Sequence, residues 1–357
     1  MAETKSLDEF LKLMVDRRAS DLHLAVGSPP MFRIHGLLVN ADGAEPLSPE
    51  TLHTMIYAIL SEEQRKKFEQ QKELDFSHSI PSVSRYRGNL LLQRGTMGAV
   101  FRAIPSRAPT LGEMGYPPAL KEFCSKPRGL VLVTGPTGSG KSTTLAAMIQ
   151  HINEYRAVHI VTIEDPIEFL HKNQKAIIRQ RELGADTHSF AEALKHVLRQ
   201  DPDVILVGEM RDLETIALAV TAAETGHLVL ATLHTTGAPA TVDRIVDVFP
   251  SHQQQQIRTQ LAGVLEGVIS QTLVPTLDGK GRVCAMEIMV GTLAIRNLVR
   301  EGRSHQIMSA IQSGGGVGMV SLDASLKSLV MAKKVSLEEA LLKAANVDEL
   351  KRLLGQA

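Results

Sequence analysis

A glycine-rich loop at 135–143 carries the clearest chemical signal in the sequence. Its residues, GPTGSGKST, fit the pattern GxxxxGK[ST] in full. The apolar segment GLVLVT runs directly into the loop and the helical segment TTLAAMIQHI runs directly out, which is the context that this motif requires. Such a loop directs backbone N–H groups at phosphate oxygens, and the helix N-terminus adds its dipole. The sequence therefore predicts a site for the phosphates of a nucleotide.

Each residue type in the loop has an expected role. The glycines are expected to let the backbone bend around the phosphates. Lys141 is expected to neutralise the β- and γ-phosphates, and Ser142 to ligate Mg²⁺, so ATP and Mg²⁺ are the predicted cofactors. The predicted nucleotide-binding residues are Gly135, Pro136, Thr137, Gly138, Ser139, Gly140, Lys141, Ser142 and Thr143.

Two further apolar segments end in carboxylates. DVILVGE ends in Glu209, and VHIVTIED ends in Glu164 and Asp165. Because ligands of open α/β sheets bind at the carboxyl ends of the strands, these side chains are expected near the nucleotide. Hydrolysis needs an acidic group that positions the attacking water, and Glu209 is the candidate. The alternatives are a solvated Glu209 at a strand end and an acidic pair at 164–165 that caps the following turn.

Histidines bracket a fourth apolar segment, HLVLATLH, at His227 and His234. A neutral imidazole near the γ-phosphate could sense whether that phosphate is present. A lone histidine is more often a structural residue, so the pattern alone leaves both interpretations open.

Two kinds of element pattern position these residues. From about residue 119, near-continuous Val/Ile/Leu segments alternate with helical ones, which is typical of a parallel sheet covered on both faces. The first hundred residues mix helical stripes with short strand-like runs and predict a small α+β domain. The segment between them is rich in Pro and Gly and is predicted to be a linker. The predicted organisation is 1–104, a linker at 105–118, and 119–357 with a helical tail from about 292.

Composition narrows the function classes. Lys plus Arg number 39 and so do Asp plus Glu, so a strongly basic nucleic-acid binder is disfavoured though not excluded. The N-terminus is polar, and no apolar run approaches the ~18 residues of a membrane span, which predicts a cytoplasmic protein. Cys124 and Cys284 lack CxxC companions, so a zinc ribbon or disulfide framework is not expected.

Four segments in order resemble the nucleotide boxes of a known family. GPTGSGKST, VTIEDPIEF, DPDVILVGEMRD and TAAETGHLVLATLHT are similar to the Walker A, Asp, Walker B and His boxes of the ATPases that drive type IV pili and type II secretion. The early SDLHL and the tail segment AIRNLVREGR resemble one branch, the PilT (twitching-motility) family of pilus retraction motors. The similarity covers nearly the whole chain. One departure is Val299, where Ile is usual in the family.

The resemblance implies a RecA-like P-loop core of α/β class with a smaller, PAS-like N-terminal domain. It also implies a homohexameric ring that converts ATP hydrolysis into domain rotation and withdraws pilin subunits. In this sequence Glu209 matches the catalytic carboxylate, Glu164 the acid near Mg²⁺ and water, and His227 and His234 the His-box pair. The implied partners are an inner-membrane platform protein, the pilin fibre indirectly, and a paralogous retraction ATPase, with no nucleic acid. The implied location is cytoplasmic, peripheral to the inner membrane.

Arginines of the N-terminal domain touch the nucleotide phosphates in the family that this chain resembles. The candidates here are Arg85, Arg87, Arg94 and Arg102, of which Arg87 and Arg102 are preferred. Strand-surface arginines paired with Glu remain the alternative for each of them. The tail segment AIRNLVREGR is tied to retraction in the family, and the alternative is an amphipathic helix that only packs on its own domain.

Other functions remain open on the sequence alone. A pilus extension or type II secretion assembly ATPase shares all four boxes, but commonly carries a further N-terminal domain and a four-cysteine metal site, neither of which is recognised here. An accessory retraction paralogue has similar boxes. Outside this family, the alternatives are a scaffold that binds ATP with little turnover and a RecA-like nucleic-acid motor.

Overall fold

A computed structural model describes residues 5–105 and 107–355, so the ends of the predicted domains and position 106 of the predicted linker lie outside the described residues. The chain divides into two compact units. The first unit comprises the described residues up to Arg107 together with Glu168–Leu170, and the second unit comprises Ala108–Ile167 and the chain from His171 onward. Among the described residues, no helix is both long and apolar enough to cross a membrane.

The first unit is an antiparallel sheet with helices packed on one face. Its helices are α1 (Leu7–Asp16), α2 (Pro49–Tyr57) and α3 (Glu62–Gln71), and its strands are β1 (Asp21–Ala25), β2 (Met31–Ile34), β3 (Leu37–Asn40), β4 (Glu73–Ile80), β5 (Ser84–Gln93) and β6 (Thr96–Ile104). The strand order is β3-β2-β1-β6-β5-β4. Ser6 and Glu9 form the capping box expected at the start of α1. Leu22, Tyr86 and Phe101 are fully buried in the core between sheet and helices.

The second unit is a mostly parallel sheet between helices. Its strands are β7 (Gly129–Thr134), β8 (His159–Glu164), β9 (Ile177–Glu182), β10 (Val204–Val207), β11 (Leu228–Leu233), β12 (Leu265–Pro275) and β13 (Arg282–Val290). Its helices are α4 (Ala119–Ser125), α5 (Lys141–Tyr155), α6 (Phe190–Val197), α7 (Leu213–Glu224), α8 (Ala238–Asp247), α9 (Ser251–Val264), α10 (Leu293–Arg300), α11 (Ile307–Ser313), α12 (Leu322–Met331), α13 (Leu337–Lys343) and α14 (Val347–Leu353). Short 3₁₀ turns lie at Ser304–Gln306 and Gly315–Val317.

The central strands of this sheet are buried on both faces, as their unbroken apolar sequences predict. The order is β13-β12-β7-β11-β10-β8-β9, with β13 antiparallel and the others parallel. Along β7, Leu130 and Leu132 enter one apolar cluster, while Val131 and Val133 enter another on the opposite face. Since side chains alternate across a strand, this division requires helices on both sides. The strand order places one strand, β11, between β7 and β10.

Two parts of the second unit differ from the simplest sequence expectation. Residues 108–118 form neither helix nor strand, but Leu111 is buried in the core of the second unit, so this segment is packed onto that unit. The long hairpin β12–β13 extends the sheet beyond β7 and was not predicted. The domain limits at 104/105 and 118/119 stay predictions.

Candidate functional site

The phosphate loop joins β7 to α5 at the carboxyl edge of the parallel sheet. Gly135, Gly138 and Gly140 all have positive φ, of 141°, 77° and 89°. A Cβ on Gly135 would lie 2.3 Å from the carbonyl oxygen of Gln271, whereas one on Gly138 would meet nothing within 4 Å. The loop therefore packs tightly against the sheet on one side and is open at Gly138, which suits a bound phosphate.

The side chain of Lys141 lies across this loop. Its Nζ donates to the carbonyl oxygens of Gly135, at 2.8 Å, and Pro136, at 3.2 Å. Lys141 is the first residue of α5, so its ammonium group and the helix N-terminus present positive charge at the same place. This is the arrangement needed to bind a polyphosphate anion.

Glu209 follows β10 at the same edge, between two basic side chains. Arg211 forms a two-point ion pair with it, at 2.7 Å for both Nε–Oε1 and Nη2–Oε2. His234, which follows β11, places Nε2 3.0 Å from Glu209 Oε1. Partial burial acts to raise the pKa of Glu209, but the hydrogen bond and charge of Arg211 and the proximity of His234 outweigh it, and the net effect is a lowered pKa. Glu209 is thus held as a carboxylate.

Gly208 lets the end of β10 approach β8 closely enough to align the two acidic strand ends. Its N–H donates to the carbonyl oxygen of Ile163 at 2.7 Å, and a Cβ at this position would lie 3.2 Å from the Cα of Glu164. On the other side, Thr232 of β11 donates from Oγ1 to the carbonyl oxygen of Gly208 at 2.5 Å. The backbone at Gly208, directly before Glu209, is therefore fixed by β8 on one side and β11 on the other.

Glu164 is the last residue of β8 and is held by its own sheet. Its Oε1 accepts from Thr162 Oγ1 at 2.6 Å and from Gln180 Nε2 at 3.2 Å. Thr162 lies two residues before Glu164 on β8, and Gln180 is the residue of β9 that pairs with Thr162. These contacts place the carboxylate at the edge where the loop and Glu209 lie.

The structure separates the two histidines. His227 precedes β11 and His234 follows it, so the length of the strand lies between them. His227 Nδ1 lies 2.9 Å from the carbonyl oxygen of Ala222, at the edge opposite to the phosphate loop. Only His234 of this pair is brought to Glu209 within one chain, and a nucleotide-site role for His227 stays a prediction.

The preferred arginines lie in the first unit as direct cross-strand neighbours. Arg87 of β5 pairs in register with Arg102 of β6, so both side chains lie on one face of the sheet. Arg102 Nε donates to the buried Asp21 at 2.8 Å, and Arg87 lies 3.8 Å from Asp75. Their ion-pair partners are thus aspartates, not the glutamates of the sequence alternative, and the side chains of Arg87 and Arg102 are 47% and 70% exposed. Contact with a phosphate stays a prediction.

Residues 294–300 of the tail segment AIRNLVREGR lie in α10, which packs on the second unit. Ile295 and Val299 are buried, and Arg296 is held by the carbonyl oxygens of Gly291, Ala262 and Gly263 and by the carboxylate of Glu266. The packing role expected from the amphipathic pattern is therefore present.

Several residues around the site were not assigned from sequence. They are Arg211, Thr162, Gln180, Thr232 and Gln271. The contact between Arg211 and Glu209 could have been predicted from the sequence, because a guanidinium group two residues along the chain can reach a carboxylate that follows a strand. The others depend on the register between strands, which a single sequence does not reveal.

This fold and site define a RecA-like P-loop ATPase. The GxxxxGK[ST] loop follows β7 and the carboxylate of Glu209 follows β10, both at the carboxyl edge of the parallel sheet, and β11 lies between these two strands. The family model for type II/IV secretion system proteins matches residues 4–306, and the chain belongs to that family. The match confirms the predicted family resemblance and fold class.

Individual relatives cover nearly the whole chain. A Pseudomonas aeruginosa protein named type IV pilus retraction ATPase PilT is 53% identical over 94% of this chain and 96% of its own length. A Neisseria gonorrhoeae twitching motility protein is 51% identical over 90% of this chain and 86% of its own. The crystal structure of the pilus retraction motor PilT with bound ADP aligns with a TM-score of 0.91, at 44% identity, over 98% of this chain and 99% of that one.

Proposed function

We propose that this protein is an ATP-hydrolysing motor that powers the retraction of type IV pili. The observation that carries the proposal is the convergence of the phosphate loop, Glu209 and Glu164 at one sheet edge, in a chain 53% identical to a protein named as a retraction ATPase. The crystal structure with bound ADP supports an adenine nucleotide as the ligand.

The loop residues bind the triphosphate in this proposal. Backbone N–H groups at 135–143 and the start of α5 surround the phosphates, and Lys141 exchanges its two carbonyl contacts for phosphate oxygens. Among the described residues, no cluster of three His, Cys, Asp or Glu could hold a metal. Mg²⁺ fits nonetheless, because it commonly takes one or two protein oxygens with phosphate oxygens and water. Ser142 and Glu164 are the proposed contributors, and the ion would neutralise phosphate charge.

Glu209 is proposed to orient and deprotonate the attacking water. Its lowered pKa keeps it ionised at neutral pH, which a general base requires. The contacts of Arg211 and His234 fix its direction. His234 is placed to report changes at Glu209 to α8, which begins four residues later.

The remaining parts of the proposal concern the assembly. The active form is a homohexameric ring in which Arg87 and Arg102 reach nucleotide phosphates, located in the cytoplasm against the inner membrane. Its proposed partners are an inner-membrane platform protein, the pilin fibre indirectly, and a paralogous retraction ATPase. Either the main or an accessory retraction motor would have this organisation.

Complementation tests the proposed function. The gene is introduced into a strain that lacks its retraction motor, and pilus shortening and twitching are scored. We expect the wild type to restore both and Glu209→Gln, expressed at the same level, to restore neither. Pili that assemble but do not shorten with the wild type, despite ATP turnover by the purified protein, would contradict retraction and favour an assembly role.

A further inference from the structure

Gln271, on the unpredicted strand β12, lies directly behind the phosphate loop. β12 runs parallel to β7 with Ser270 opposite Thr134, so Gln271 lies beside Gly135, where the loop begins. Gln271 is buried, with 3% of the residue exposed. The close approach of its carbonyl oxygen leaves no room for a side chain at Gly135. The backbone of β12 therefore supports the first residue of the loop.

The side-chain amide of Gln271 bridges the two ends of the segment that carries the binding groups. Its Nε2 donates to the carbonyl oxygen of Ser139 at 2.7 Å. Its Oε1 accepts from Thr144 Oγ1 at 2.9 Å. Between these two anchor points lie residues 140–143, which include Lys141 and Ser142. One buried amide thus fixes both flanks of this segment.

The contact with Ser139 has a directional consequence. In a planar trans peptide, the carbonyl of Ser139 and the N–H of Gly140 point to opposite sides. Because Gln271 holds the carbonyl from behind, the N–H of Gly140 is turned away from β12. Gln271, Ser139 and Thr144 are all buried. Loss of the amide therefore takes a donor from the buried carbonyl oxygen of Ser139, which is costly, whereas Thr144 Oγ1 keeps its contact with the hydroxyl of Tyr116 at 3.1 Å. The contacts of Gln271 therefore restrain the conformation of the loop.

We propose that Gln271 is a positioning residue that holds the phosphate loop in its nucleotide-binding conformation. It acts through Ser139 and Thr144 and does not touch the nucleotide. This inference rests on the proposed nucleotide-binding function. Without the bridge, part of the free energy of nucleotide binding is spent on ordering the loop, so the affinity falls. The loop with nucleotide bound has the same geometry as in the wild type. The deficit therefore falls on affinity, not on the chemical step.

Gln271→Met tests this, since methionine has a similar length and no amide. We expect the dissociation constant for a fluorescent ADP analogue and the KM for ATP each to rise about tenfold, with kcat changed less than about threefold. Gln271→Glu keeps the acceptor for Thr144 but turns a carboxylate oxygen toward the carbonyl of Ser139. It is expected to bind at least as weakly as the Met variant. Gln256→Met, on the exposed face of α9, is the matched control and should leave both constants unchanged.

A purely structural role predicts a different result. In that case the thermal midpoint of the nucleotide-free protein falls while KM stays at the wild-type value, which would overturn the proposal. If Gln271→Met does not fold, Thr144→Val keeps the side-chain shape and removes the hydroxyl, and with it the contacts to Gln271 and to the hydroxyl of Tyr116. An unchanged KM in that variant overturns the proposal equally. In the double variant, the loss of affinity should be smaller than the sum of the two single losses. Absence of nucleotide binding by the wild type would instead refute the proposed function.

Discussion

Two charged residues at the carboxyl edge of the sheet, Lys141 and Glu209, are proposed to have separable tasks, and that separation can be measured. Lys141 contacts the carbonyl oxygens of the loop and is proposed to contribute positive charge to a bound phosphate. Glu209 follows β10 and is directed by Arg211 and His234. Affinity should depend on the lysine and turnover on the glutamate.

Lys141→Ala should weaken ADP binding at least about a hundredfold, because the phosphates lose a charged hydrogen-bond donor. Glu209→Gln should bind ADP within about threefold of the wild type and lose about 10²–10⁴ in kcat, because its shape is kept and the base is lost. Titration with a fluorescent nucleotide and a phosphate-release assay measure the two effects. Equal loss of binding in both variants would show that Glu209 is misassigned.

The ion pair with Arg211 helps to lower the pKa of Glu209. Burial acts to raise the pKa of this carboxyl group, but the contacts of Arg211 and His234 lower it below the usual value of 4.5. Glu209 therefore stays ionised at pH 4.5 and becomes protonated only at a lower pH. In Arg211→Gln the pKa of Glu209 rises, and the acidic limb of the ATPase pH profile should move to higher pH. Rates between about pH 4 and 7 measure the shift.

The matched control for this pH experiment is Arg199→Gln, an exposed arginine ahead of β10 and away from Glu209. Its acidic limb should coincide with that of the wild type. If the limb of Arg211→Gln also coincides with the wild type, then Arg211 does not set the protonation state on which turnover depends.

At the scale of elements, α8 is held to the sheet by the unpredicted hairpin. Its first residue, Ala238, donates its N–H to Oε1 of Glu287 on β13 at 2.7 Å, and Gly237 donates to Oγ of Ser270 on β12 at 2.8 Å. Ser270 and Glu287 are themselves partners in the β12–β13 register. The turn after His234 is therefore fixed by two adjacent strands.

Glu287 should make stability depend on pH. Burial raises its pKa above 4.5, the backbone contact with Ala238 opposes this, and nearby Asp323 adds to it. The folded protein thus holds this proton more tightly than the unfolded chain. The resulting stabilisation is present below about pH 4.5 and is lost as the pH rises through the raised pKa. Glu287→Gln should gain in free energy of unfolding relative to wild type as the pH rises, as measured by urea unfolding.

The control for the loss of a negative charge is Glu338→Gln, because Glu338 is an exposed glutamate on α13. Its stability curve should run parallel to that of the wild type across the same pH range. A parallel curve for Glu287→Gln as well would show that this carboxyl group ionises alike in the folded and unfolded states.

The elements differ in how far the sequence predicts them. β7, β8, β10 and β11 were predicted because every position on them is apolar or nearly so, which follows from burial on both faces. β12 and β13 were missed because polar residues interrupt them at buried positions, among them Gln271 and Glu287. The pairing of Arg87 with Arg102 could not be predicted either, since register depends on neighbouring strands.

At the scale of the whole molecule, the predicted binding groups are divided between the two units. The phosphate loop belongs to the second unit, and Arg87 and Arg102 belong to the first. A ring of identical chains would let one subunit supply the arginines to the nucleotide of its neighbour. Mass measurement in solution tests the ring, and a fully active stable monomer would contradict it.

Mixing two inactive variants decides which chain supplies the arginines. Arg87→Ala/Arg102→Ala keeps its loop intact, and Lys141→Ala keeps its arginines intact, so each alone should lose at least about a hundredfold in kcat/KM. If the arginines act on a neighbouring subunit, some interfaces of a mixed ring are complete. At these interfaces the arginine variant supplies an intact loop and the adjacent Lys141→Ala subunit supplies intact arginines. ATPase activity should then rise well above the sum of the separate variants. The control is Arg18→Ala, at an exposed arginine of the first unit that is not a candidate for phosphate contact, and it should be active without mixing. No gain on mixing, in rings shown by mass to contain both variants, would place the arginines and the phosphates in the same chain.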